Sequence, residues 1–308
     1  MSKAPSSNAP MPLIDAHHHL WNPVSNTPDI GYVWLKKIGA MKPFGDPTPI
    51  QRDYLLDEFL AETSAATHLE GSVHVPADGA ISDPVAETKW IQSISDATGF
   101  PIALVGFVDL MRDDAEETIL RHKESSNFVG IRQILSRLDD RPEISFAPEH
   151  HLRDPHWQNN FALCEAHDLS FDLQCYPEQM VEIAGFLADF PNVPVIIDHA
   201  GSPHDQSPEG LAFWADALRH MAKLPNVSCK ISGLGMFDRD WTKAEQIVGA
   251  LYDVFSAERL MFGSNFPVDK LMRSYDDCLA SVKTHLPKQS HSAIFHDNAK
   301  RLYKLGTP

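Results

Sequence analysis

Short runs of aliphatic and β-branched residues recur along the chain, each followed by a stretch with apolar residues three and four positions apart. The runs are LIDAH from Leu13, GSVHV from Gly71, IALVGFV from Ile102, FVGIRQI from Phe128, LSFDLQC from Leu169, VPVIIDH from Val193, NVSCKIS from Asn226 and RLMFGSN from Arg259. Their length and composition predict eight strands. Between them lie DYLLDEFLAETSA from Asp53, DPHWQNNFALCEAHD from Asp154, PEQMVEIAGFLADF from Pro177 and TKAEQIVGALYDVF from Thr242. These have helical spacing, and several open with Asp, Thr or Pro, as helix starts do.

Eight alternations in one chain of 308 residues predict an α/β protein, a single (β/α)8 TIM barrel, whose usual length is roughly 250 residues. An open doubly wound sheet more often has fewer strands and a glycine-rich phosphate turn after the first. No GxGxxG follows the first run here. The stretch from Trp21 to Arg52 breaks the rhythm and predicts a long loop after strand one, where barrel enzymes carry segments that cover substrate. Residues 1–11, MSKAPSSNAPM, are small and polar and predict a flexible tail ahead of a barrel domain over 12–308. They lack the apolar core of a secretory signal, so a cytoplasmic location is expected.

Composition narrows the partners. With 43% apolar and 22% charged residues the chain fits an ordinary globular protein, and it has no apolar run of the ~18 residues a membrane span needs. A net charge of −16 argues against nucleic acid and anionic membrane, which call for a concentrated basic surface. A small-molecule substrate is expected, with local Arg and Lys to counter the field if it is anionic; a homo-oligomer stays open. Cys164, Cys175, Cys229 and Cys278 have no CxxC spacing and are expected to be buried apolar groups.

Active sites of this barrel lie at the carboxyl ends of the strands, so the polar residues that end each run carry the chemical signal. Alternation along a strand puts His17 and His19 on one face and His18 on the other. Two imidazoles so placed can share a metal ion about 2.1 Å from each ring nitrogen. His199 ends the sixth run and could meet them across the mouth. His74 lies in the second run, Arg132 and Gln133 end the fourth, Lys230 and Ser232 face one side of the seventh, and Ser264 and Asn265 end the eighth. Trp21 and Phe266 follow the first and last runs, where they could wall a ring-shaped substrate. His150 and His151 precede a helix and could edge the pocket.

IDAHHHLWNP at the start, VIIDHAGSP around His199, NVSCKISGL around Lys230 and FGSNFPVD around Asn265 resemble the amidohydrolase-2 family of the amidohydrolase superfamily, metal-dependent TIM-barrel hydrolases that include lactonases and relatives that decarboxylate aromatic acids. The resemblance runs from Leu13 to about Leu305. It implies a catalytic and metal-binding role for His17, His19 and His199, and for Arg132 a cation facing a substrate carboxylate, a task that suits the planar guanidinium fork. Two positions depart from the superfamily pattern. Where many members have a metal-binding His after strand five this chain has Tyr176, and where they have a water-activating Asp after strand eight it has Asn265. An amide cannot act as a general base. Asp269 and His199 are the candidate replacements, and whether a divalent ion, zinc if any, is bound stays open.

The expected activity is hydrolysis of a lactone, an anionic or polyhydroxylated cyclic ester of a sugar acid or of an unsaturated or aromatic-derived acid. A metal at the three histidines, or protonated histidines without one, would polarise the carbonyl. Asn265 would hold the substrate or the attacking water, and Arg132, Lys230, Trp21, His74 and Tyr176 would bind substrate. The alternatives are a decarboxylase centred on the same histidines and a non-catalytic barrel that binds a sugar acid or a partner protein.

Overall fold

The structure, a computed structural model, describes residues 11–25, 30–63, 68–77 and 83–306. Eight strands pair in parallel and in chain order: β1 (Pro12–His18), β2 (His68–His74), β3 (Ala103–Phe107), β4 (Phe128–Ile134), β5 (Ser170–Gln174), β6 (Val195–Ile197), β7 (Val227–Ile231) and β8 (Leu260–Phe262). The segment after β8 brings the last strand back to the first. His19 N–H donates to the Phe266 carbonyl and Asn265 N–H to the His17 carbonyl, each at 2.8 Å. The expected TIM barrel is present.

Its helices are α1 (Val33–Lys36), α2 (Leu56–Glu62), α3 (Pro84–Thr98), α4 (Ala115–His122), α5 (Pro155–Ala166), α6 (Met180–Leu187), α7 (Pro208–Ala222), α8 (Ala244–Phe255), α9 (Tyr275–Thr284) and α10 (Asn298–Leu302). Four begin with a side-chain cap: Asp83, Asp154, Ser207 and Ser274 accept the N–H of Val85, His156, Gly210 and Asp277, satisfying donors the helix leaves open. Between β1 and α2 lie α1 and a 3-10 turn at Thr48–Ile50, and Trp21 and Tyr54 pair their backbones across that segment. Among the described residues no helix is long and apolar enough to cross a membrane. All but the last residue of the expected tail lies outside the described residues. The four cysteines are free and buried.

Strand alternation sorts the core into two parts. Outward residues such as Phe171, Leu173, Val195, Ile197, Cys229 and Ile231 pack beneath the helices, while Ile14, Ala16, Val73, Val75, Ala103, Val105, Ile196 and Met261 form a separate cluster with Tyr303. The β1–β2 register shifts twice and the β3–β4 register once, and one of the shifts in β1 bears on the site. The β1–β2 register slips between Asp15 and His18, a bulge that resets which residues face inward. Asp15 faces the helices and accepts from the Tyr275 hydroxyl of α9 at 3.1 Å. His18 stacks on Phe59 of α2 at 4.1 Å. Ala16 and His17 lie on the inner side between them, so His17 and His19 end on one side by way of a bulge.

Candidate active site

Above the interior apolar cluster lies a layer of buried charge. Asp172 of β5 and Lys230 of β7 point inward by alternation and form a close ion pair, which the Tyr303 hydroxyl completes by donating to Asp172 at 2.8 Å. Lys230 Nζ is also 3.0 Å from Asp198 Oδ1 and 3.1 Å from His17 Nδ1. Arg132 of β4 places Nε 2.9 Å from Asp198 Oδ2, Nη1 2.7 Å from the Pro76 carbonyl and Nη2 2.5 Å from Gln174 Oε1. Two cations thus face two carboxylates. Burial alone would raise Asp198, but Lys230, His17 and Arg132 hold it well below the usual carboxylate range. Burial pushes Asp172 up to about 6 against the pull of Lys230.

The imidazoles sit on this layer. The His17 ring is 4.6 Å from that of His199 and 5.0 Å from that of His19. Burial first, then Arg132, pushes His19 down to about 3; burial, opposed by Asp198 and reinforced by Arg132 and Lys230, does the same to His199. Burial also holds His17 well below its ordinary value. Burial thus disfavours the charged form of all three imidazoles, against the expectation that protonated histidines could polarise the carbonyl. His19 Nδ1 lies 2.7 Å from the Val75 carbonyl. A carbonyl only accepts, so Nδ1 carries the proton and Nε2 holds the lone pair.

Backbone strain places two of these residues. His199 has φ +52°, Ala200 +55° and Ser202 +52°, and Asn265 has φ +57°, a left-handed conformation that costs non-glycine residues about 1–2 kcal/mol. Glycines make room: a Cβ on Gly233 would come within 2.6 Å of His199 Nδ1, and one on Gly263 within 2.6 Å of the His17 Cβ. Ser232 Oγ is 3.2 Å from His199 Nδ1.

A cavity of about 360 Å³ opens over the layer, lined at its base by His19, Arg132, Gln174, His199 and Asn265 and along its sides by Trp21, Trp34, Phe44, Phe107, Phe146, Met236 and Val268. Of the expected substrate-binding residues it has Arg132 and Trp21 in its lining, along with His151. Three others lie elsewhere. Lys230 is sealed beneath the imidazoles. His74 faces the helices, because His74 pairs in register with outward His18; its Nδ1 accepts from the Leu20 N–H and its Nε2 lies 3.6 Å from Glu87 of α3. Tyr176 is buried beyond the end of β5, its hydroxyl donating to the Ile144 carbonyl and its ring against His204. The inward residue at that strand end is Gln174. Phe266, expected as a wall, packs on Tyr275 at 5.4 Å.

Asn265 Nδ2 donates to Asp269 Oδ1 at 3.1 Å. Asp269 is buried and absent from the cavity lining, which places this expected general base behind Asn265. Among the described residues one group of potential metal ligands converges: His17, Asp198 and His199 each bring an atom within 4.8 Å of the others. Asp198 stands there where His19 was expected. His17 Nε2 is buried without a hydrogen-bond partner, which fits a ligand atom. Asp198, Asp172 and Gln174 had readable signals: inward parity in LSFDLQC, and an acid closing the apolar run VPVII.

The amidohydrolase model matches residues 14–305. The chain belongs to the amidohydrolase family. It is 36% identical to an uncharacterised protein of Sinorhizobium fredii, covering 95% of this chain and 98% of the relative, and 30% identical to an L-fucono-1,5-lactonase of Burkholderia ambifaria, covering 96% of each. A Burkholderia multivorans amidohydrolase solved with zinc bound superposes with a TM-score of 0.77 at 27% identity, over 95% of this chain and 99% of that one. The protein is a hydrolase of this family.

Proposed function

We propose that the protein hydrolyses a lactone in the cavity over His19, His199 and Asn265. The observation that carries this reading is the neutral His19 with its lone pair fixed on Nε2, beside a second neutral imidazole and an amide at the base of a largely apolar cavity. The likeness to a lactonase over nearly the whole chain supports it.

Water adds its oxygen to the ring carbonyl carbon and gives a proton to His19 Nε2. The carbon to ring-oxygen bond then breaks, the ring oxygen takes up a proton, and one hydroxy acid leaves per water consumed. General-base assistance contributes about 10²–10⁴-fold and is greatest for a base whose pKa lies near the working pH, so the lowered value of His19 puts its share at the low end. Asn265 spends one amide N–H on Asp269 and keeps its second N–H and its oxygen for the ester carbonyl or the water. Arg132 lines the base of the site in a fixed position, held by Asp198, Pro76 and Gln174. A divalent ion, zinc in the B. multivorans relative, would be held by His17, Asp198 and His199 and would supply Lewis-acid polarisation and a more acidic water.

The test is acid release from a lactone panel, followed with a pH indicator before and after metal loading. One acid equivalent per lactone, and a loss of at least 100-fold in His19→Ala, are expected. Release of carbon dioxide, or full turnover by His19→Ala, overturns the proposal.

A further inference from the structure

The cavity wall includes aromatic side chains whose indole N–H groups are already hydrogen-bonded to the backbone. Trp21 Nε1 donates to the Arg52 carbonyl at 2.9 Å and Trp34 Nε1 to the Ala77 carbonyl at 3.0 Å. The two indole rings meet at 5.5 Å and 87°, and Phe44 meets Trp34 at 6.2 Å and 75°. Trp21 is sealed, with the His19 ring stacked on it at 5.9 Å, so the carbon face left toward the cavity is that of half-buried Trp34, with Phe107 and Phe146 elsewhere in the lining and Lys42 Nζ 5.2 Å from the Trp34 ring centre. A flat ring can stack on such a face. Gln133, a polar residue of the wall, is already engaged: its Oε1 accepts from Trp157 Nε1 at 2.7 Å and from Leu110 N–H at 3.2 Å, and its Nε2 donates to Asp109 at 2.9 Å. A polyhydroxylated ring would give up hydrogen bonds to water where it lay against the Trp34 face, although polar groups, Asn265 at the base among them, line other parts of the cavity.

Charge points the same way. Among the described residues the charged groups lining the cavity are Lys42, Arg132, Asp109 and Glu149, two of each sign. Beneath them Lys230 lies between Asp172 and Asp198, so the base offers an anion no surplus of positive charge. The chain as a whole carries −16, which repels anions at long range.

We infer that the substrate is an uncharged lactone carrying a flat apolar group, aryl or cyclic alkenyl, stacked on Trp34. This rests on the lactone-hydrolase reading; it departs from the anionic or polyhydroxylated lactone expected from sequence and keeps the unsaturated or aromatic-derived acid expected there. The size of the cavity, within the range of small-molecule sites, allows a two-ring molecule.

The test compares dihydrocoumarin, its carboxylated analogue, glucono-1,5-lactone and unsubstituted δ-valerolactone as substrates, with the unreactive lactam 3,4-dihydro-2-quinolinone as a calorimetric binding probe. At least tenfold higher kcat/KM for dihydrocoumarin than for the carboxylated and polyhydroxylated lactones is expected. In Trp34→Ala the loss on dihydrocoumarin should exceed the loss on δ-valerolactone tenfold or more, mainly through KM, and Trp34→Phe should recover most of it. Preference for glucono-1,5-lactone or for the carboxylated analogue, or equal losses on both test lactones in Trp34→Ala, overturns the inference and leaves the hydrolase reading intact. Lactam binding that Trp34→Ala weakens, with no lactone hydrolysed by the intact protein, overturns the hydrolase reading and leaves the ligand assignment standing.

Discussion

Lys230 Nζ lies 3.1 Å from His17 Nδ1, inside the barrel and sealed from solvent. An ammonium in that position is held by Asp172 on one side and Asp198 on the other, so its first role is to keep two buried carboxylates compatible with folding. Removing one partner from a buried ion network leaves uncompensated charge and costs about 3–5 kcal/mol. Lys230→Met should destabilise the protein by that amount in urea unfolding. Adding Asp172→Asn should restore part of the loss, because the second variant removes the carboxylate left unpaired. A single-variant cost below about 1 kcal/mol would show that the network contributes little to folding.

Gly233 supports His199 by having no side chain. At φ +63° it occupies the left-handed region, and an added Cβ would meet His199 Nδ1 and Cγ at 2.6 and 2.8 Å and its Cβ at 2.9 Å. Gly233→Ala should therefore displace the imidazole. Misplacement of a catalytic group by about 1 Å can cost 10²-fold, so kcat should fall at least tenfold while the unfolding free energy falls by about 1–3 kcal/mol. Steady-state kinetics beside urea titration separates the two, and unchanged kcat would mean that His199 tolerates the shift.

Much of the barrel could be read from local pattern, because parallel strands buried on both faces leave continuous apolar runs and each run was followed by helical spacing. The meeting of His17, His19 and His199 followed from strand-end position. Facing was less legible wherever it depended on register between strands. His74 is one residue from an inward position, and the β1 bulge that sets its pairing with His18 leaves no mark in HHH itself. Tyr176 and Gln174 are two apart, yet β5 ends at Gln174 and the chain turns before Tyr176, so a position matched by motif lay beyond the strand. Lys230 faces inward as its parity indicates; its depth depends on how far β7 extends past it, a three-dimensional fact.

His122 gives the fold an acid-sensitive point away from the cavity. Its Nε2 donates to the Phe107 carbonyl at 3.0 Å, its Nδ1 receives the Thr88 hydroxyl at 2.9 Å, and the ring stacks on Phe128. Burial pushes it down to about 4, whereas an unfolded histidine titrates near 6.5. Between those values the unfolded chain binds a proton that the folded one refuses. The stability is complete above about pH 6.5 and is lost as pH falls toward 4, by up to roughly 3 kcal/mol. Urea titrations at pH 7, 5.5 and 4.5 should show a decline that is shallower in His122→Gln. Parallel declines would mean that another group carries the acid sensitivity.

Asp269 has the opposite sign. Burial raises its carboxyl to about 7, against hydrogen bonds from the Asn265 side chain and the Gly235 N–H, while an unfolded Asp titrates near 3.9. The folded state therefore holds a proton that the unfolded chain has already released, a contribution fully present below about pH 4 and lost as pH rises through 7. Asp269→Asn avoids burying the charge, so its melting temperature should gain on that of the parent between pH 5 and pH 9, by the equivalent of up to about 3 kcal/mol. Activity should move the other way. Asp269 acts as a positioning residue through Asn265, and its charged form is the better acceptor for Nδ2, so kcat of the parent should rise across pH 6 to 8 with a limb that Asp269→Asn lacks. The variant should lose about tenfold in kcat at pH 8, in line with one charge-assisted hydrogen bond. A variant that is more stable at alkaline pH but keeps the limb would move the titration to a different group and leave Asp269 as a fold residue alone.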